Sequence, residues 1–180
     1  MTPNSASLSF ILRPMRPEDL DQVLSLVEQS PEAPRWVRSA YTPYLAGADS
    51  ETNPSLLRTA LVAIGSSPHQ PRQERILAFA AATLLLDGEK NLSQLDSMAV
   101  DPDARRHGLG SALLHAILDW SAAHNAHHLT LEVRAGNVPA IALYQRCGLR
   151  PEGRHPRYYT DPEEDALLLG MPITVGSLRV

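Results

Sequence analysis

VDPDARRHGLGSALL, residues 100–114, runs from an apolar strand end through two arginines and a histidine to Gly108-Leu109-Gly110 and then into a helical pattern. A helix start carries unpaired N–H groups and partial positive charge, and glycines let an anion approach the backbone closely. An ordinary strand-to-helix loop with a basic surface patch reads the same way, so the neighbours must decide. Dinucleotide-binding loops are a poor fit. Position 113 is Leu where a third glycine is needed, and Gly108 comes eight residues after Val100 rather than directly off the strand, although Glu132 does lie about 20 residues on. A Walker A loop needs Gly-Lys-Ser/Thr, and here Gly110 precedes Ser111-Ala112.

Working outward, Leu109, Leu113, Ile117 and Trp120 fall on one face of a helix over about 109–124. LTLEVRA, 129–135, alternates as a strand, with Thr130, Glu132 and Arg134 on its polar face. NVPAIALYQRCG is a short helix, with Asn137 as N-cap, Pro139 in the first turn and Gly148 beyond the C-terminus. Upstream, RILAFAAATLLL is apolar enough for a strand buried on both faces, and the DGEKN turn joins it to a strand over 93–100. Strands at 8–13 and 56–64 flank a helix over RPEDLDQVLSLVEQS and a weaker one over 34–46. The segments 46–55 and 65–75 read as mobile loops, and two strands joined by TDPEE close the chain. The order β-α-α-β-β-β-α-β-α-β-β implies an α/β (α+β) fold: a mixed, mostly antiparallel sheet with one β-α-β unit, in a single domain over 1–180 with its core at about 8–173.

Composition bounds the function. The chain has 180 residues, 43% hydrophobic and 20% charged, with a formal net charge of −4. That balance disfavours a nucleic-acid partner, since Arg105-Arg106-His107 is the one basic cluster. A single cysteine, Cys147, excludes an intrachain disulfide. The first residues lack a basic n-region, and the longest apolar run is far short of the ~20 residues that span a bilayer. A cytoplasmic protein with no membrane partner is expected.

The segment MAVDPDARRHGLGSALL resembles the acetyl-CoA loop of the GNAT superfamily of N-acetyltransferases, Arg/Gln-x-x-Gly-x-Gly/Ala, which Arg105, Gly108 and Gly110 fill. The resemblance continues through LEVRAGNVPAIALYQRCGLRPEGRHPRYY and EDALLLGMPI, similar to the RimI group, which acetylates the N-terminal alanine of a small-subunit ribosomal protein. It implies a single GNAT domain and acetyl-CoA as co-substrate, with no metal. Backbone N–H groups over 106–111 (Arg106, His107, Gly108, Leu109, Gly110 and Ser111) would hold the pyrophosphate. Met98, Ala99 and Val100 would flank the pantetheine arm through their main chain, and Asn137 would contact the cofactor.

Acyl transfer from a thioester needs a held donor, an uncharged amine and a protonated leaving sulfur. The resemblance puts Glu132 at the general base and Tyr144 at the general acid. An N-terminal amine of pKa near ~8 asks less of a base than a lysine near ~10.4. The plain alternatives are a surface Glu132 paired with Arg134, a packed Tyr144 and an Asn137 that only caps its helix. Cys147 has no His or Asp at nucleophile spacing and reads as a buried inert thiol. His124, His127 and His128 read as helix-end surface residues rather than metal ligands. On the acceptor side the resemblance offers Trp36, Tyr158 and Tyr159 as contacts for a peptide, although adjacent strand tyrosines also simply pack, one to each face. The acceptor stays open among a protein N-terminus, ribosomal or other, a lysine and a small amine; a catalytically silent acyl-CoA-binding module is the non-enzymatic alternative.

Overall fold

The apolar run around 76–86 becomes the middle of a seven-stranded sheet. In the computed structural model, which describes residues 8–45, 53–67 and 70–174, the strands are β1 (Phe10–Pro14), β2 (Leu56–Ser67), β3 (Gln70–Leu85), β4 (Asn91–Val100), β5 (Ala126–Arg134), β6 (Arg150–Thr160) and β7 (Glu163–Pro172). They run β1-β2-β3-β4-β5-β7-β6 across the sheet. Every pairing is antiparallel except β4 with β5. That parallel pair needs a crossover, and helix α2 (Leu109–Ala123) supplies it. Helix α1 (Leu20–Glu28) lies between β1 and β2 in the chain, and α3 (Val138–Arg146) between β5 and β6.

Both faces of β3 are covered, as its unbroken apolarity requires. Leu109, Leu113, Leu114 and Ile117 of α2 pack with Leu77, Leu129, Leu131 and Leu169 on one face. On the other, Leu20, Val23, Leu26 and Val27 of α1 pack with Tyr41, Val62 and Phe79. Each fully buried leucine contributes ~2 kcal/mol relative to an exposed one. Inside α2, Ser121 is fully buried, and its hydroxyl donates to the Ile117 carbonyl and meets Ser93 Oγ of β4 at 2.7 Å.

Two expectations change. Residues 65–75 are mostly strand, because β2 and β3 extend to Ser67 and from Gln70, and beyond a register shift at Ala63/Ile64 they stay paired as far as Ser66 opposite Glu74. Residues 68 and 69 lie outside the described residues. The helix expected over 34–46 is a 3-10 turn, Arg38–Tyr44, with Pro43 inside it; a proline without its N–H cannot continue an α-helical ladder. Of the other expected loop, residues 46–52 lie outside the described residues, and Ser55 N donates to Asn53 Oδ1 at 3.0 Å in a tight turn just after.

Candidate active site

One register fault creates the site. β4 pairs with β3 as Leu95–Ala82 and then Ser97–Ala81, leaving Asp96 as an extra residue. Such a bulge bends the strand that carries it. The β4–β5 pairing ends at Leu95–Leu131, immediately before the bulge. Beyond that point the two parallel strands fork. The edge of Met98, Ala99 and Val100 that faces β5 therefore has no strand partner among the described residues, and a cleft of about 1340 Å³ opens between the strands.

The loop 101–108 forms one wall. Asp101 takes an N–H from Asp103 (2.8 Å) and an ion pair from Arg75 (2.6 Å), which fixes the turn off β4. Arg106 then adopts φ 67° and Gly108 φ 85°, both left-handed, and α2 begins. The N–H groups of residues 106–111 find no acceptor among the described residues. They form a ring of donors at a helix start, which suits a pyrophosphate. Gly110 allows close packing: a Cβ there would lie 2.8 Å from Leu143 Cδ2, so α2 and α3 touch at this point. Arg105, Arg106, Gly108, Leu109, Gly110 and Ser111 all line the cleft. His107 does not line it, and its ring meets the Arg105 carbonyl at 2.8 Å instead; only its main chain remains available to an anion. The donor ring, the free β4 edge and the glycine contact together fit acetyl-CoA.

α3 closes the far side. Asn137 Oδ1 accepts from Ala140 N at 3.2 Å, so it caps α3, and it also lines the cleft. Tyr144 is 8% exposed and lines the cleft, and its hydroxyl bonds to no described residue. Burial, with Tyr159 nearby, pushes its pKa up to about 12, so the phenol stays protonated at neutral pH. Cys147 is half-buried in the cleft wall rather than buried in the core, 3.5 Å from Ser111 Oγ.

Glu132 projects from β5 into the same cleft. It does not pair with Arg134. Tyr158 donates its hydroxyl to Glu132 Oε2, and His155 Nδ1 stands 3.4 Å from Oε1. That hydrogen bond pushes the Tyr158 pKa up to about 12. A second bulge aims Tyr158: the β6–β7 register jumps between His155 and Tyr159, with Arg157 at φ 52° and its N–H held by Asp165 Oδ1 at 2.8 Å. Arg134 serves Glu164 instead (3.1 Å) and stacks over the Tyr159 ring at 4.1 Å. Tyr158 and Tyr159 do not go one to each face; both line the cleft, edge to face at 5.1 Å.

Trp36 also reaches the cleft, stacked on Tyr44 with ring centres 5.3 Å apart. Tyr44 leads to residues that the sequence reading missed. Its hydroxyl donates to Asp96 Oδ2 (3.1 Å), which also accepts from Thr83 (2.7 Å). Burial raises the Asp96 pKa. Ser30 Oγ and Ser97 Oγ, in the same cleft, are buried and have no hydrogen-bond partner among the described residues. The signal was available, since SQLDSMAV places two polar residues together where a strand should alternate. His124 and His128 are engaged with the Trp120 carbonyl and Glu152, and no metal-holding cluster occurs among the described residues.

A model of the acetyltransferase (GNAT) family matches residues 29–149. The "[Ribosomal protein bS18]-alanine N-acetyltransferase" of Escherichia coli strain K12 is 40% identical over 103 residues, which are 56% of this chain and 67% of that one. The crystal structure of the ribosomal-protein-S18-alanine N-acetyltransferase from Escherichia coli superposes with a TM-score of 0.68 at 27% identity, covering 96% of this chain and 99% of that one. Arabidopsis thaliana NAA60 in complex with acetyl-CoA shares the fold, with a TM-score of 0.75 at 20% identity over 92% of this chain and 99% of that one.

Proposed function

The chain belongs to the acetyltransferase (GNAT) family, and from that premise we propose that it acetylates the N-terminal α-amine of a protein, of the alanine type, with a ribosomal protein as target. The carrying observation is the fork at Asp96, which brings Glu132 and Tyr144 onto the walls of one cleft. The similarity to an alanine N-acetyltransferase supports an N-terminal acceptor. So do Tyr158 and Tyr159, two aromatic side chains that line the cleft and could meet a peptide backbone.

Bound acetyl-CoA supplies the acetyl group as a thioester. Residues 106–111 hold its phosphates through main-chain N–H groups, and the free edge of β4 holds the extended arm. Glu132 receives a proton from the acceptor nitrogen, with Tyr158 fixing the direction of its carboxylate. Tyr144 faces the leaving sulfur. Its pKa of about 12 exceeds the ~8.5 of an ordinary thiol. It therefore works first as a hydrogen-bond donor to developing negative charge, and proton transfer follows that stabilisation.

The test is a panel of peptides with free N-terminal Ala, Ser and Met, a blocked peptide with an internal Lys, and small polyamines, with release of free thiol as readout. Fastest turnover on N-terminal Ala is the expected result. Turnover confined to lysine or to small amines overturns the N-terminal assignment.

A further inference from the structure

An acceptor amine enters as an ammonium at neutral pH, since its pKa is near ~8. By the end of the reaction its nitrogen has lost two protons and formed one bond to the acyl carbon, while the carbon–sulfur bond has broken and the sulfur has gained one proton. Glu132 can take one of the two. We infer that Asp96 takes the other: its free Oδ1 accepts the first proton from the acceptor's ammonium, Glu132 accepts the second as the N–C bond forms, and Tyr144 supplies the sulfur. When product leaves, Asp96 and Glu132 give up their protons, one restoring the Tyr144 phenol and the other passing to solvent. The inference deepens the amine-acetylation reading above and rests on it.

Position carries the argument. Leu95 and Leu131 are register partners on the two strands, and both point into the α2-side core. The following residues, Asp96 and Glu132, therefore turn to the opposite face at the point where the strands part. Asp96 is held there by one oxygen only. Thr83 of β3 and Tyr44 of the 3-10 turn both donate to Oδ2, whereas Oδ1 accepts nothing among the described residues. No Lys or Arg forms an ion pair with it there; Arg58 of β2 acts from a distance, above the Tyr44 ring at 5.8 Å. Beside it, Ser97 Oγ is 97% buried by residue and unpartnered among the described residues. A half-desolvated carboxylate and an unsatisfied buried hydroxyl are a natural pair of acceptors for an ammonium, which carries only donors. Burial raises the carboxyl pKa, against the lowering effects of Thr83, Tyr44 and Arg58, and moves it towards that of the amine it must relieve.

The experiment measures kcat/KM against pH, using whichever amine of the panel the wild-type enzyme acetylates fastest. Asp96→Asn keeps the shape and an oxygen for Thr83 and Tyr44. It is expected to lose about 10²-fold about two pH units below the pKa of that amine and to recover most of that about one unit above it, where the amine is already neutral. Thr83→Val and Tyr44→Phe leave Asp96 in place but remove hydrogen bonds that lower its pKa, so the acid limb should move to higher pH. The acetyl-CoA Kd should stay unchanged in all three. An acid limb unmoved in the Thr83 and Tyr44 variants, or an Asp96→Asn defect equal below and above the pKa of that amine, overturns the inference. The identity of the fastest amine separately decides the N-terminal reading, and no turnover on any amine overturns both.

Discussion

Tyr144 is the residue on which the proposed chemistry turns. It touches the cleft, bonds to no described partner and keeps its proton at neutral pH. Tyr144→Phe should lower kcat by about 10²-fold or more and leave the acetyl-CoA Kd within error, as checked by steady-state kinetics beside calorimetric titration. Unchanged kcat removes Tyr144 from the mechanism. Glu132→Gln should act differently. Gln can still accept the Tyr158 hydroxyl, so the cleft wall should persist and acetyl-CoA should bind normally, while kcat/KM for the acceptor falls about 10²-fold near neutral pH. An equal loss of acetyl-CoA affinity would mark Glu132 as structural. The roles proposed for Glu132 and Tyr144 came from resemblance. Their partners did not: nothing in RHPRYY announces that a bulge returns Tyr158 to Glu132, because bulges arise from pairing between strands and leave little mark on either strand alone.

Among the elements, the contact between α2 and α3 connects the proposed cofactor loop to the proposed acid, Tyr144. Gly110→Ala places a methyl 2.8 Å from Leu143 Cδ2, and Leu143 precedes Tyr144 on α3. Displacing that side chain should cost about 1–3 kcal/mol, a fall in Tm of several degrees, together with weaker acetyl-CoA binding; a differential scanning measurement with and without acetyl-CoA reads both. An unchanged Tm would mean that Leu143 yields freely. Helices α2 and α3 were legible because capping, spacing and glycine positions are local properties. The strands of the β2–β3 hairpin ran past their expected ends because PHQPR looks like loop while pairing across the hairpin holds the flanking residues extended. The fork was legible only as a break in the alternation of SQLDSMAV, because it depends on one surplus residue, Asp96, relative to a neighbouring strand.

At the scale of the molecule, the edge strand β1 is tied to the entry of α1 by a charge pair. Arg13 of β1 grips Asp19 at the entry to α1 through two bonds, 2.6 and 2.8 Å, and Asp19 is almost wholly buried. The Arg13 guanidinium holds the Asp19 carboxyl below the usual carboxylate range. A depressed folded-state pKa gives stability that is present above the unfolded value near ~3.9 and is lost as pH falls through the folded value. Asp19→Asn should therefore cost about 2 kcal/mol at neutral pH, and the gap to wild type should close as pH drops below about 4. Thermal melts across that range check it, and a gap that stays constant with pH contradicts it.

The central claim is acetyl transfer to a protein N-terminus at the β4–β5 fork. Its most direct measurement uses one peptide carrying both a free N-terminal Ala and an internal Lys, incubated with acetyl-CoA, with tandem mass spectrometry locating the acetyl group. The predicted result is acetyl on the α-amine alone, formed by the wild-type enzyme and strongly slowed in Tyr144→Phe. Acetyl on the lysine alone, or equal labelling by wild type and Tyr144→Phe, contradicts the claim.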